Sequence, residues 1–255
     1  VNSLDNNIKY EQFKREYSHL EGSELVAATR KFFDKNELVS FSSFGSYSAL
    51  LLDFISNVDK QLPILFLETG KHFYETLQFV EDIETRFGLT NITKLHPDSK
   101  IVANADEDGD LWKNNVDRCC WIRKVEPLDR YLEENQQISV IITGRRGYQT
   151  AERANMKTIE LDDTGRIRIN PFCNWSKDEV IKEFNKRDLP QHPLVEQGYP
   201  SIGCAPCTKA VKPGEDERSG RWAHVIDIKS NDSTALQKTE CGIHLNKYEV
   251  EVELW

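Results

Sequence analysis

The sequence is short of several things, and each shortage removes a class of protein. Its apolar runs stay brief, as at Ala49–Leu52 and Val140–Ile142, against the roughly 20 residues that a membrane-spanning helix needs. The first residues, VNSLDNNIKYEQFKREY, lack the apolar stretch and small-residue cleavage site of a secretory leader, so a cytoplasmic location and no membrane association are expected. Positive charge is also in deficit. With 33 Lys and Arg against 42 Asp and Glu, the net charge of −9 argues against broad phosphate-backbone binding, and no nucleic-acid partner is expected. Internal repeats and low-complexity tracts are absent. Cysteine is sparse, six in 255 residues, and in a reducing compartment such thiols are metal ligands or catalytic groups rather than disulfides.

What remains is a globular composition, 38% apolar and 29% charged, long enough for one sizeable core. Short β-branched runs alternate with stretches of helical period. Leu38–Ser43, Leu62–Gly70, Asn91–His96, Ile138–Gly144 and Arg166–Phe172 read as strands. Between them, Phe73, Leu77, Val80, Ile83 and Phe87 recur at three- and four-residue intervals, with Gly88 placed to end that helix. Ser176 and Glu179 form a capping-box pair at the start of another, and Pro190 lies just beyond its end. Strands alternating with helices imply an α/β fold with a parallel sheet, whose ligands sit at the carboxyl ends of the strands. From Thr208 the pattern becomes charged and turn-rich, which predicts a C-terminal arm over 208–255, mobile in part, with YEVEVELW as an edge strand.

The cysteines fall into a constellation. Cys119 and Cys120 are adjacent in RCCWIRK, and Cys204 and Cys207 form a C-x-x-C in GCAPCT. Four thiolates meeting at one point suit tetrahedral zinc or an iron–sulfur cluster, while a lone C-x-x-C also serves redox chemistry. Neighbouring side chains on a helix diverge by about 100°, so an adjacent pair fits the separated corners of a cluster better than one ion. Ordinary burial of Cys119 beside an idle neighbour is the plain alternative, and burial is also the default for Cys173. Cys241, in KTECGIHL, is flanked by Lys238 and His244, a setting that favours a nucleophilic thiolate.

Several segments suit an anion. SFGSYS, Ser43 to Ser48, follows a strand and opens a helix, so backbone N–H groups and hydroxyls there suit a phosphate; it lacks the G-K-[ST] ending of a Walker A loop. LETG, Leu67 to Gly70, is a second strand-end turn. Lys124, the arginines of GRRGYQTAER and those of ERSGR supply cations that pair with phosphate or sulfate oxygens, although any one of them alone reads as a solvated charge.

Taken in order, CCWIRKVEPL, QGYPSIGCAPCT, ERSGRW and KTECGIHL resemble the sulfonucleotide reductases of assimilatory sulfate reduction. The likeness is nearer to the reductases of adenosine 5′-phosphosulfate (APS), which carry the CC…CxxC set, than to those acting only on 3′-phosphoadenosine 5′-phosphosulfate (PAPS), which usually lack it. The resemblance implies a Rossmann-like sheet of the adenine-nucleotide α-hydrolase (PP-loop) type, with a sulfonucleotide-binding domain over 1–207 and a C-terminal arm over 208–255. It implies a [4Fe–4S] cluster on Cys119, Cys120, Cys204 and Cys207, and a catalytic nucleophile at Cys241. The matching nucleotide positions are Ser43, Phe44, Gly45 and Ser46, then Leu67, Thr69 and Gly70, then Gly144, Arg145, Arg146 and Arg153. Lys124, Arg218 and Arg221 match the positions that meet the phosphosulfate, and His244 joins the substrate set.

The implied reaction yields sulfite and AMP from APS, by way of an S-sulfonated Cys241 that thioredoxin or glutaredoxin resolves from outside the chain. Self-association into a homo-oligomer is left open. The sequence departs from the family pattern in the arginine loop, Arg145-Arg146-Gly147-Tyr148-Gln149, where RRDQ is usual. Tyr47 stands at an acidic position, and the spacer from Trp222 to Lys238 is longer than usual. Use of PAPS, alone or alongside APS, is the first alternative. A PP-loop ligase or sulfurtransferase with zinc is another, but SSFGSYS does not supply the S-G-G-x-D-S loop it needs. A non-catalytic metal-binding module would leave Cys241 without a use.

Overall fold

The computed structural model describes residues 3–223 and 242–243. Six strands form one sheet in the order β3-β2-β1-β4-β6-β5, where β1 is Leu38–Phe41, β2 Ile64–Leu67, β3 Ile92–Leu95, β4 Val140–Thr143, β5 Ile159–Leu161 and β6 Ile167–Ile169. β1 pairs in parallel with β2 and with β4, and β4 in parallel with β6. All four residues of β4 are buried, as expected for a β-branched strand with a partner on each edge. All five strands read from the sequence are present.

The sixth, β5, is antiparallel to β6 and was not anticipated. A tight turn joins the pair: Asp162 Oδ1 accepts from the backbone N–H of Thr164 and Arg166, and Gly165 takes a φ of +75°. DDTG was the available signal for that turn.

The helices among the described residues are α1 (Ser3–Tyr17), α2 (Gly22–Phe32), α3 (Ser48–Val58), α4 (Tyr74–Phe87), α5 (Ser99–Ala105), α6 (Leu111–Asn114), α7 (Val116–Cys120), α8 (Glu126–Glu134) and α9 (Lys177–Lys186). α4 ends where expected. Gly88 adopts φ +62°, and the Leu89 N–H returns to the Glu84 carbonyl at 3.0 Å, closing the last turn. At the start of α9 the Ser176 side chain accepts from the Glu179 N–H while the Glu179 carboxylate accepts from the Ser176 N–H, the reciprocal cap read from the sequence. No helix among the described residues is long and apolar enough to cross a membrane.

The chain divides into two compact units interleaved in sequence. Unit 1 comprises the residues up to Phe66, Gln78–Thr93 and Asn135–Gln191; unit 2 comprises Leu67–Leu77, Lys94–Glu134 and the residues from His192 on. Unit 1 holds β1, β4, β5 and β6 with the strand-end loops that follow β1 and β4. Unit 2 holds all four cysteines of the CC and CxxC pairs.

Candidate active site

In unit 2, α7 begins with a cap in which Asn115 Oδ1 accepts the Arg118 N–H at 2.9 Å. The helix then runs directly into a π-helical turn, Trp121–Val125. A π turn holds more residues per turn than an α-helix, so it rotates the positions after it around the axis and is frequent at functional sites. Cys119 and Cys120, at the end of α7, and Arg123 and Lys124, within the turn, all line one pocket. Cys204, Cys207 and Arg221 line the same pocket, with Trp112 and Trp222 as aromatic wall and Lys71 at its edge. The two cysteine pairs, far apart in sequence, thus come together as expected.

The segment carrying the C-x-x-C is fixed by backbone pairing within the unit. Cys204 bridges His72 in antiparallel fashion, the Ala205 N–H donates to the Lys71 carbonyl at 2.7 Å, and the Trp222 N–H donates to the Cys207 carbonyl at 2.9 Å. Cys204 Sγ lies 3.4 Å from the Thr69 hydroxyl, so the turn after β2 reaches a thiol directly. The His72 ring is held at the Leu67 carbonyl, and burial lowers its pKa.

The cations are placed closely. The Arg221 guanidinium stacks 4.5 Å from the Trp222 ring centre and lies flat against Gly203, where an added Cβ would overlap Nη2. Its Nη1 donates to the Ile202 carbonyl at 3.3 Å. Arg123 Nη2 forms a 2.5 Å ion pair with Asp106, and Nη1 donates to the Thr69 carbonyl at 2.8 Å. Burial by itself would raise the Asp106 pKa, but the Leu111 N–H and the Arg123 guanidinium outweigh it and hold the carboxyl below its usual range. The Nε atoms of Arg123 and Arg221 are buried without a hydrogen-bond partner among the described residues, which is costly unless an anion approaches.

The donor chemistry fits an iron–sulfur cluster. Burial, reinforced by neighbouring thiols, pushes Cys119 and Cys207 up to about 12, so a metal centre held here would have to displace their protons. Among the described residues no three His, Cys, Asp or Glu side chains already surround a point in the way a single bound ion would hold them. Four thiols in an apolar recess flanked by cations and a hydroxyl match the levers that set the potential of a thiolate-ligated cluster.

Unit 1 presents the other predicted positions. Ser43 is exposed after β1, Phe44 takes an unusual φ of +48° and packs edge-on against Phe66, and Ser48 caps the turn onto the Gly45 carbonyl at 2.7 Å. Ser46 is buried and its carbonyl accepts from Gln191. After β4, Gly144 leads into the arginine loop. Arg145 is committed within the fold, donating to Glu160 at 2.7 Å and to Asn170 at 3.0 Å, and burial brings it down to about 10. Arg146 is buried over the Tyr47 ring at 5.4 Å and donates to the Tyr47 carbonyl, and burial lowers its pKa. Arg153 is held by Gln149. At Gly147, within the departure from RRDQ, there is no room for a side chain, since a Cβ would meet the Cys173 carbonyl at 2.5 Å. Cys173 is itself buried, as expected, and burial raises it to about 11.

Arg218 lies 5.9 Å from the Trp222 ring centre in unit 2. Gly70, with φ +69°, completes the turn after β2. Cys241, His244 and the YEVEVELW segment lie outside the described residues. Gly242, which follows Cys241 in the chain, is buried with φ +94°, and a Cβ there would be 3.1 Å from Val125. Lys71, Trp112 and Asp106 are additions to the residues that the sequence points to, whereas Arg123 stands in the sequence with Lys124 as a charge flanking the cysteine pair; Asp106 lies in an acidic run, NADEDGD, that reads as a solvated loop.

The phosphoadenosine phosphosulfate reductase domain matches residues 37–210. An adenosine 5′-phosphosulfate reductase of Chelativorans sp. is 43% identical, covering 95% of this chain and 93% of that protein. Adenosine 5′-phosphosulfate reductase 1 of Bacillus subtilis is 36% identical, covering 82% of this chain and 84% of that protein. Among solved structures, a phosphoadenylyl-sulfate reductase from Candida auris in complex with phosphate is similar with a TM-score of 0.65 and 26% identity, over 79% of this chain and 96% of that one. The FMN adenylyltransferase of Candida glabrata shares the fold alone, with a TM-score of 0.51 and 15% identity over 86% of this chain and 73% of that one. With a domain match over most of its length and relatives aligned almost end to end, the chain belongs to the phosphoadenosine phosphosulfate reductase family.

Proposed function

We propose that the protein reduces adenosine 5′-phosphosulfate to sulfite and AMP, with Cys241 as nucleophile and a [4Fe–4S] cluster on Cys119, Cys120, Cys204 and Cys207. The observation that carries this reading is the pocket in which those four thiols meet Lys124, Arg123 and Arg221. The curated relatives named APS reductase support the choice of APS over PAPS.

The Cys241 thiolate attacks the sulfur of APS, the S–O bond to the phosphate breaks, and AMP leaves with that electron pair. Cys241 then carries the sulfonate as an S–SO₃⁻ group. A thiolate of thioredoxin or a similar dithiol protein attacks the Cys241 sulfur, releasing sulfite with the S–S bonding pair, and its second thiol resolves the mixed disulfide. The Cys241 thiolate is regenerated and the dithiol protein leaves oxidised. Lys124, Arg218 and Arg221 offset the charge that would otherwise repel a thiolate from a sulfate group. When bound, the cluster supplies a fixed, tunable charge beside that group of cations. The strand-end loops at Ser43–Ser46 and Gly144–Arg153 hold the nucleotide in this reading, the first through backbone N–H groups at the start of α3.

Replacing Cys241→Ser tests the assignment. Sulfite formation should fall by at least about a thousandfold, the scale on which removal of a covalent nucleophile acts, while APS still binds. A serine variant with normal turnover would remove Cys241 from the reaction.

A further inference from the structure

The segment from Asp106 to the start of α6 has no part in the proposed chemistry, yet it holds side chains that line the pocket. The Asp106 side chain is 1% exposed, and its two oxygens are both engaged, Oδ1 by the Leu111 N–H at 2.8 Å and Oδ2 by Arg123 Nη2 at 2.5 Å. The other arm of the same guanidinium donates to the Thr69 carbonyl, and the Thr69 hydroxyl lies 3.4 Å from Cys204 Sγ. Three residues along the loop, Gly109 turns the chain with φ +71° and its carbonyl accepts the Lys71 ammonium. A Cβ at Gly109 would stand 3.1 Å from Lys71 Nζ. Both Arg123 and Lys71 line the four-cysteine pocket, as does Trp112 in α6.

An arginine fork placed by a carboxylate presents its remaining N–H groups in a fixed direction, which a lone arginine does not. Here the fork spans from the carboxylate to the turn after β2, leaving Nε buried without a partner among the described residues. We infer that Asp106 is a positioning residue: by holding the Arg123 guanidinium between the thiol pocket and the Thr69–Gly70 turn, it sets the turn and the pocket charge that APS meets. This rests on the APS reductase reading above. Asp106 touches neither thiol nor substrate; it holds Arg123 by the ion pair and the loop by the Leu111 N–H, and its charge also reaches Cys119.

The experiment uses the full-length, anaerobically purified protein with Asp106→Asn and Asp106→Glu. Asparagine keeps the shape and an acceptor for Leu111 but loses the charge that orients Arg123; glutamate restores the charge. The Asn variant should keep the parent's iron content, raise KM for APS about tenfold with a smaller loss in kcat, and shift the low-temperature electron paramagnetic resonance of the reduced cluster. The Glu variant should recover most of the KM change. Two results overturn the inference. One is an Asn variant with the parent's KM and spectrum. The other is iron and melting temperature lost together in both variants, with the iron-loaded fraction indistinguishable from the parent, because that is a purely structural role. A parent that fails to turn over APS would instead remove the function on which the inference rests. A parent that turns over APS without iron would remove the cluster and leave the KM comparison to decide Asp106.

Discussion

Both units place arginines close to glycines, but the glycines serve opposite ends. In unit 1, Gly147 is pressed against backbone, 2.5 Å from its would-be Cβ to the Cys173 carbonyl. In unit 2, Gly203 is pressed against the Arg221 guanidinium, with Nη2 in the space a Cβ would take. Backbone cannot step aside, whereas the far end of an arginine can. The arginine loop of unit 1 is therefore shaped by close backbone packing, with Arg145 already engaged by Glu160 and Asn170. The cations of unit 2 are held by side-chain contacts, Arg221 over the Trp222 ring and Arg123 by Asp106.

The same substitution made in each unit separates these roles. Gly147→Ala should cost about 1–3 kcal/mol of folding stability, as overpacking against a fixed neighbour does, and is read by chemical denaturation. A Gly147→Ala variant as stable as the parent would mean that the loop yields and the contrast is lost. Gly203→Ala should cost less stability than Gly147→Ala, because side-chain atoms rather than backbone must move, while raising KM for APS about tenfold as the Arg221 guanidinium is displaced. An unchanged KM would mean that Arg221 does not need the flat seat on Gly203.

Much of this architecture is legible in the chain because period and burial coincide. β4 reads as a strand because Val140, Ile141 and Ile142 are buried and β-branched, and α9 because Ser176 and Glu179 cap each other reciprocally. β5 was missed because three residues, Ile159–Leu161, are too few to show alternation. The four cysteines were legible as a set, but not the way in which adjacent residues share one pocket. Nor was the π turn at Trp121–Val125 that follows them, a change of hydrogen-bond register that leaves no mark on apolar spacing. Asp106 was opaque for a related reason. It lies in the charged stretch NADEDGD, and only its place in the fold, 1% exposed against Arg123, shows that it is buried. Gly147 and Gly203 are likewise explained by neighbours distant in sequence, Cys173 and Arg221.

The central claim is that the pocket of unit 2 holds an iron–sulfur cluster beside a group of cations. Anaerobic purification followed by iron and zinc assay and a visible absorption spectrum tests it most directly. The account predicts brown protein with about four iron atoms per chain and a broad charge-transfer band, lost together when Cys204 is replaced by Ser. Colourless protein carrying zinc on the same four thiols would contradict it.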